Sequence, residues 1–162
     1  MKVLNIHKRE IQQPKTAIAS LLKTLASDND RMLATDKWPP MKLDKGLQVG
    51  SKGGHGPIRY CLSEYQPEKS ITFQFTMTGF HGFHRFDINE LAPNKTELSH
   101  IIDMTTTGSA TFKWALAIRW LHDALIEDAF DKVENQFTKD KKSSKWSLWV
   151  RVLRKILKRK KK

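Results

Sequence analysis

Cysteine is almost missing from this chain of 162 residues: Cys61 is the single one. One thiol cannot close an internal disulfide or supply a thiolate cluster, and such sparing use favours a reducing, cytoplasmic setting. Long apolar runs are missing too; none approaches the roughly eighteen residues that an ordinary membrane-spanning helix needs. The opening MKVLNIHKREIQQPKTA has no uninterrupted apolar core, so a secretory signal is not expected. The glycine-rich GSKGGHGP lacks the Gly-Lys-Ser/Thr ending of a phosphate loop, GPIRY carries no serine at a nucleophile elbow, and Cys61 has no identifiable base. His81-x-x-His84 is a spacing that suggests a metal, but residues three apart on a strand face opposite ways. Adding His55 and Cys61 would demand loop geometry that the spacing does not supply. Neither a metal nor a cofactor is therefore expected.

Acidic residues are in short supply, with 17 Asp and Glu against 29 Lys and Arg and a net charge of +12. The imbalance is local. Residues 139–162 hold 12 Lys and Arg and one acid, Asp140, and so carry +11, which leaves +1 for residues 1–138. A nucleic-acid-binding domain usually carries its positive footprint on the folded face. A nearly neutral body does not announce one, and nucleic acid is not an expected partner.

What the body does contain is a succession of periodic segments. KVLNIHKREI alternates as a strand, with Val3, Asn5 and His7 opposite Leu4, Ile6 and Lys8, and Pro14 ends it. TAIASLLKTLASDNDRML reads as helix through Ile18, Leu21, Leu22 and Leu25, with a break at SDND and a second short helical turn at Met32 and Leu33. Leu47–Val49 reads as a short strand, and GSKGGHGP as too rich in glycine for a regular element. Strand candidates then follow at Ile58–Tyr65, SITFQFTMT, HGFHRFDINEL and TELSHIIDMTTTG. His84 falls on the face of Phe86 and Ile88, and His100 on that of Leu98, Ile102 and Met104. From Ala110 the period changes to a helix with a stripe of Phe112, Ala115, Ile118, Trp120, Leu121, Leu125, Ala129 and Val133. That order predicts an α+β domain over 1–138, a linker at 139–145 and a separate tail at 146–162.

The tail, KWSLWVRVLRKILKRKKK, holds two of the chain's five tryptophans. At about 100° per residue, Trp146, Trp149, Val150, Leu153, Ile156 and Leu157 share one side, with Arg151, Arg154, Lys155 and Lys158 on the flanks or opposite. Leu148 and Val152 broaden the apolar sector. A helix from Trp146 to Leu157 spans roughly 18 Å, too short to cross a bilayer. The pattern suits a helix lying on an anionic membrane, with Trp146, Trp149, Val150, Leu153, Arg154, Leu157 and Lys158 in contact. Docking onto the domain or a second copy, a solvated charge run, and a calmodulin-like or nucleic-acid partner remain as alternatives.

The order of elements also resembles a known family. The early strand and helix, Trp38 with Pro39, GPIRYCLSEYQPEKSITFQF, HGFHRFDI, KTELSHIIDM and the long last helix together resemble the polyketide cyclase/dehydrase and lipid-transport superfamily, also called START-like or SRPBCC. The resemblance covers about Lys2 to Phe137. It implies a helix-grip fold, in which a curved antiparallel sheet wraps the C-terminal helix around a cavity for a lipid, sterol, polyketide or other apolar molecule. The expected lining is Trp38, Tyr60, Phe73, Phe75, His84, Phe86, His100, Ile118, Leu121 and Leu125. Binding or transport of a small apolar ligand, rather than catalysis, is the leading expectation, in the cytoplasm or at the inner membrane face. A cyclase or dehydratase using His84 or His100 as proton donor or acceptor is the alternative. A structural module whose interior is filled by its own side chains is a third.

Overall fold

A computed structural model of the chain describes residues 1–159. The alternating segments pair into one antiparallel sheet of seven strands: β1 (Lys2–Ile11), β2 (Lys42–Leu43), β3 (Lys52–His55), β4 (Ile58–Gln66), β5 (Ser70–Phe75), β6 (Phe80–Ala92) and β7 (Lys95–Thr106). Their spatial order is β1-β7-β6-β5-β4-β3-β2, so the first strand returns to pair with the last. Helix α1 (Lys15–Leu22) follows β1, and the C-terminal helix is built from α2 (Ser109–Lys113), a π-helical turn (Trp114–Ile118) and α3 (Arg119–Glu134). Period-two alternation sends Phe80, His84, Phe86 and Ile88 of β6 and Leu98, His100, Ile102 and Met104 of β7 to the helix side, and all are buried.

Four expectations change. The first helix stops at Leu22, and the segment after it holds no second helical turn. There Asp30 takes over the backbone donors: its carboxylate accepts from Ala26, Met32 and Leu33, while Ala26 sits at φ 63°. Leu25, Met32 and Leu33 still reach the core from this irregular loop. Leu47–Val49 is a turn rather than a strand, and Val49 is 64 % exposed. The glycine-rich segment is instead the regular one, because β3 needs glycine: a Cβ on Gly53 would lie 1.8 Å from the Lys42 carbonyl oxygen of β2.

The last helix also departs from a uniform 3.6-residue period. The π-helical turn shifts the phase, so the face turned inward is Ala110, Trp114, Leu125, Ile126, Ala129, Phe130 and Val133. Phe112 and Trp120, expected inside, are 70 % and 41 % exposed, and Ala115 is exposed as well.

Buried apolar residues form two clusters. The larger joins α1, the loop through Trp38 and Met41, the centre of the sheet and the second half of α3; the smaller is Val3, Phe80, Ile102, Met104, Ala110 and Trp114. The tail is not a separate body. Helix α4 (Leu148–Arg159) places Val150, 3 % exposed, in the larger cluster. The linker is tied down on the way: the Ser144 amide donates to Asp131, Lys142 pairs with Glu134 at 2.6 Å, and Asn135 bonds the Lys142 backbone at both its amide and carbonyl. Among the described residues no helix is long and apolar enough to cross a membrane.

Candidate functional site

Between the two clusters the sheet and the last helix do not meet, and a cavity of about 680 Å³ remains. Its wall is mostly apolar, with Phe80, Phe86, Ile102 and Met104 from the sheet, Trp114, Ile118, Leu121 and Leu125 from the helix, and Trp38, Met41 and Pro57 from the loops. Size and lining are those of a small-molecule pocket.

The polar exceptions are Lys37, Arg154 and four histidines, His55, His84, His100 and His122. Strand register explains two of them, His84 and His100. Phe86 pairs with His100, His84 with Ile102, and His100 with His7 on β1, so the antiparallel ladder brings β6 and β7 imidazoles together diagonally. His84 Nδ1 and His100 Nε2 lie 3.3 Å apart. On the helix side, His122 stands 4.9 Å from His100 between ring centres. His55 reaches the Tyr60 hydroxyl at 3.0 Å, and the Tyr60 ring packs 4.7 Å from His84. The outer nitrogens of this group, His84 Nε2, His100 Nδ1 and His122 Nε2, are buried without a protein partner.

Burial decides their charge. It pushes His84 and His100 well below the ordinary imidazole value, helped by the neighbouring imidazoles, and lowers His55 to about 4. His122 is lowered by burial too, against its hydrogen bond to Asp123. Burial likewise pushes the Tyr60 hydroxyl above its usual value. At neutral pH the imidazoles that line the cavity are uncharged. A neutral imidazole has one N–H and one lone pair. When His84 donates to His100, His84 Nε2 is an acceptor and His100 Nδ1 a donor; the reverse tautomers exchange those roles. Either way the pair offers one donor and one acceptor.

Trp38, Phe75, His84, Phe86, His100, Ile118, Leu121 and Leu125 stand in the cavity wall. Tyr60 and Phe73 do not. They are 1 % and 0 % exposed and lie behind it, where Phe73 stacks on His84 at 5.0 Å and so fixes the ring that the cavity meets. His55, His122, Ile102, Met104 and Trp114 were missed as lining. Spacing also argued against a metal, yet the fold brings His7, His122 and Asp123 within 4.8 Å of one another from distant parts of the chain.

The tail closes one side of the site. Asp128, 1 % exposed, accepts from Lys37 Nζ at 2.7 Å, Trp38 Nε1 at 2.8 Å and Trp146 Nε1 at 2.7 Å. The Arg154 guanidinium lies 4.1 Å from both the Trp38 and the Trp146 ring centres and donates to the Lys37 carbonyl at 2.6 Å. Arg154 and Leu157 then form part of the cavity wall. Trp146, Val150 and Arg154, expected at a membrane, are committed to the domain in this structure. The side chain of Lys158 lies outside the described residues.

A cavity between an antiparallel sheet and a C-terminal helix defines a helix-grip protein. Comparison with solved structures then places the fold: the chain has the START-like, or SRPBCC, fold. A START superfamily protein from Mycobacterium smegmatis matches with a TM-score of 0.52 at 15 % identity, over 83 % of this chain and 99 % of that one. Norcoclaurine synthase from Thalictrum flavum, solved with dopamine and hydroxybenzaldehyde, matches with a TM-score of 0.64 at 10 % identity, over 86 % and 90 %. A conserved protein of unknown function from Enterococcus faecalis matches with a TM-score of 0.61 at 14 % identity, over 99 % of this chain and 85 % of that one. No family model matches the sequence, and no curated protein matches it either.

Proposed function

We propose that the chain binds a small, largely apolar molecule bearing a hydroxyl or phenol group, held between the sheet and the last helix. The observation that carries this reading is the apolar cavity with the His84–His100 pair in its wall, their outer nitrogens unpartnered. A buried polar atom left unpaired costs about 1–3 kcal/mol. A hydroxyl, which both donates and accepts, relieves that cost at either tautomer. Each 100 Å² of ligand surface withdrawn from water adds about 2.5 kcal/mol. Native mass spectrometry of the purified chain, followed by extraction, identifies a co-purified molecule. In parallel, 2-naphthol is expected to bind saturably to the wild type and at least tenfold more weakly to Ile118→Trp, which fills the cavity. Absence of both a co-purified molecule and saturable naphthol binding refutes the reading.

The imidazole pair also supports a catalytic reading, a cyclisation or dehydration of the bound molecule. A proton accepted at one outer nitrogen and released at the other, with exchange across the 3.3 Å contact, leaves no net charge in the cavity. Loss of turnover with retained binding in His84→Gln and His100→Gln would favour it.

Loading at an anionic membrane surface belongs to the same proposal. Leu148, Trp149, Val152 and Ile156 of α4 are 44–78 % exposed, as are Phe112 and Leu116 of the neighbouring helix. The Trp149 indole donates to the Leu116 carbonyl at 2.9 Å and joins the two rows. Exposed Lys113, Arg119, Arg151 and Lys155 accompany this apolar ridge, a composition suited to headgroups and acyl chains together. Val152→Asp with Ile156→Asp should release the chain from phosphatidylserine vesicles; unchanged binding would count against it.

A further inference from the structure

Away from the His84–His100 pair, the seam between β1 and α3 holds a second group of ligating side chains. Asn5 and His7 lie two apart on β1 and face the helix, where His122 and Asp123 are consecutive. One oxygen, Asp123 Oδ1, receives three nitrogens: His7 Nε2 at 3.1 Å, His122 Nδ1 at 3.5 Å and Asn5 Nδ2 at 3.0 Å. His7 is caught between two carboxylates, because its Nδ1 also meets Glu127 Oε1 at 2.8 Å. A neutral imidazole donates to one of them, and an imidazolium donates to both.

We propose that His7, His122 and Asp123 form a zinc site, with Asn5 as the fourth group. Donor atoms held tetrahedrally at about 2.0–2.1 Å from zinc stand about 3.3 Å from each other. The observed separations of 3.1 and 3.5 Å bracket that value, and the set of His7, His122 and Asp123 atoms stays within 4.8 Å. Asn5 supplies an independent sign. Its Oδ1 is buried with no partner. A half-turn of the amide brings that oxygen to the place of Nδ2, 3.0 Å from the carboxylate, as a further ligand. The surroundings suit a metal-bound imidazole. With Nε2 on the ion, His7 keeps its Nδ1–H for Glu127, and Glu127 is itself fixed by Arg9 Nη2 at 2.9 Å. A carboxylate behind a ligating histidine orients the ring and raises its basicity. Arg119 Nε stands 3.8 Å from the other Asp123 oxygen and leaves Oδ1 to the ion. The side chains of His7, His122 and Asp123 are 13, 11 and 31 % exposed, so the ion enters past Asp123. His122 belongs to the cavity wall as well, which puts this site beside the ligand cavity. The assignment does not depend on what the cavity binds.

The test is a titration of the full, chelator-treated chain with Zn²⁺, and with Co²⁺ for its visible absorption. One equivalent is expected to bind, with a Co²⁺ spectrum of four-coordinate intensity. His7→Gln and Asp123→Asn should each weaken zinc binding at least 100-fold. Glu127→Gln should weaken it 10–100-fold through the His7 ring. His81→Gln, on the exposed face of β6, should leave it unchanged. In case the variants fold poorly, ring signals of His7 and His122 in wild-type NMR spectra should move on adding Zn²⁺ while those of His55 and His81 stay in place. Stoichiometric binding that survives His7→Gln and Asp123→Asn, ring signals that do not move, or no binding at 100 µM Zn²⁺ would overturn the assignment.

Discussion

Replacing Asp128 tests whether the tail helix is held by the domain or merely rests on it. This carboxylate sits at the only point where α3, the Trp38 loop and the tail meet through hydrogen bonds to one side chain among the described residues. Oδ1 accepts from Lys37, and Oδ2 accepts from both indoles. Asparagine separates the two halves of that arrangement. With its carbonyl oxygen at the Oδ2 position it keeps both indole bonds, but its NH₂ then opposes the Lys37 ammonium. Lys37 is 35 % exposed in its side chain and turns to water, so the net loss is about 1–2 kcal/mol, near the value of one charge-assisted hydrogen bond. Alanine removes the acceptor from all three. Two indole N–H groups are stranded in a buried place and a cation loses its counter-charge, which together should cost about 3–5 kcal/mol. Urea unfolding followed by tryptophan fluorescence reads the global effect. Hydrogen exchange at α4 reads the local one, because a docked helix that opens alone does so below the global free energy. An alanine variant within about 0.5 kcal/mol of wild type, with α4 amides still protected, would refute the idea that Asp128 fastens the tail.

Acid should destabilise the fold well before its carboxylates titrate. His55 and His84 are neutral when folded, with His55 at about 4, and take up protons near 6.5 when unfolded. The unfolded state therefore binds more protons below that value. The contribution of these two is complete above about pH 6.5 and falls as pH drops toward 4, His55 alone accounting for a loss of about 3 kcal/mol there, while His7, with its pKa raised, has the opposite sign and loses its contribution as pH rises above about 6.5. Urea midpoints between pH 7 and 4.5 should decline, less so in His55→Gln; a midpoint that rises on acidification contradicts the burial argument. Gly53→Ala should push β2 off β3 and cost about 1–3 kcal/mol, since its Cβ would meet the Lys42 carbonyl oxygen at 1.8 Å; unchanged stability and exchange at Lys42 and Leu43 would refute it. Arg154→Ala removes two stacking contacts at 4.1 Å, about 1–4 kcal/mol between them. It should speed naphthol release from the cavity by at least fivefold, and an equal off-rate would argue that α4 does not guard it.

Much of the sheet was legible because period-two alternation is a local signal. His84, Phe86, His100, Ile102 and Met104 could be assigned to one side from their own neighbours, and antiparallel pairing then had to place them together. The seam of β1 was not legible, because its alternation runs against expectation. Leu4 and Ile6 are 62 % and 47 % exposed, while Asn5, His7 and Arg9 turn toward α3 and bond Asp123, Glu127, Asp131 and Glu134. A polar face that turns inward finds its reason only in its partner, more than a hundred residues away. His122 escaped notice for a similar cause: the π-helical turn ahead of it changed which residues of the last helix face inward. Trp114 could have been found by asking which tryptophan in the helix has a position for a shifted stripe, but no residue type signals the shift itself.

The tail shows how one amphipathic pattern can serve two surfaces. Its predicted apolar side was read as one face for one partner. In the fold that side is divided, because Trp146, Val150 and Leu157 meet the domain or its cavity while Trp149 and Ile156 join the outward Leu148 and Val152. The inward contacts are few and mainly polar or cation-π in character: the indole of Trp146 on Asp128, and Arg154 between two rings. Such contacts are directional and are lost together when the helix tilts, whereas a broad apolar interface yields gradually. Helix α4 also supplies Arg154 and Leu157 to the cavity wall. Anything that takes hold of its outward ridge therefore acts on a wall of the cavity through a rigid rod of 12 residues. The exposed cations Arg151 and Lys155 and the latch residue Arg154 belong to the same turns of this helix. If a molecule fills the cavity and a surface engages the ridge, both events involve that one helix, and by linkage each would shift the other by the same free energy.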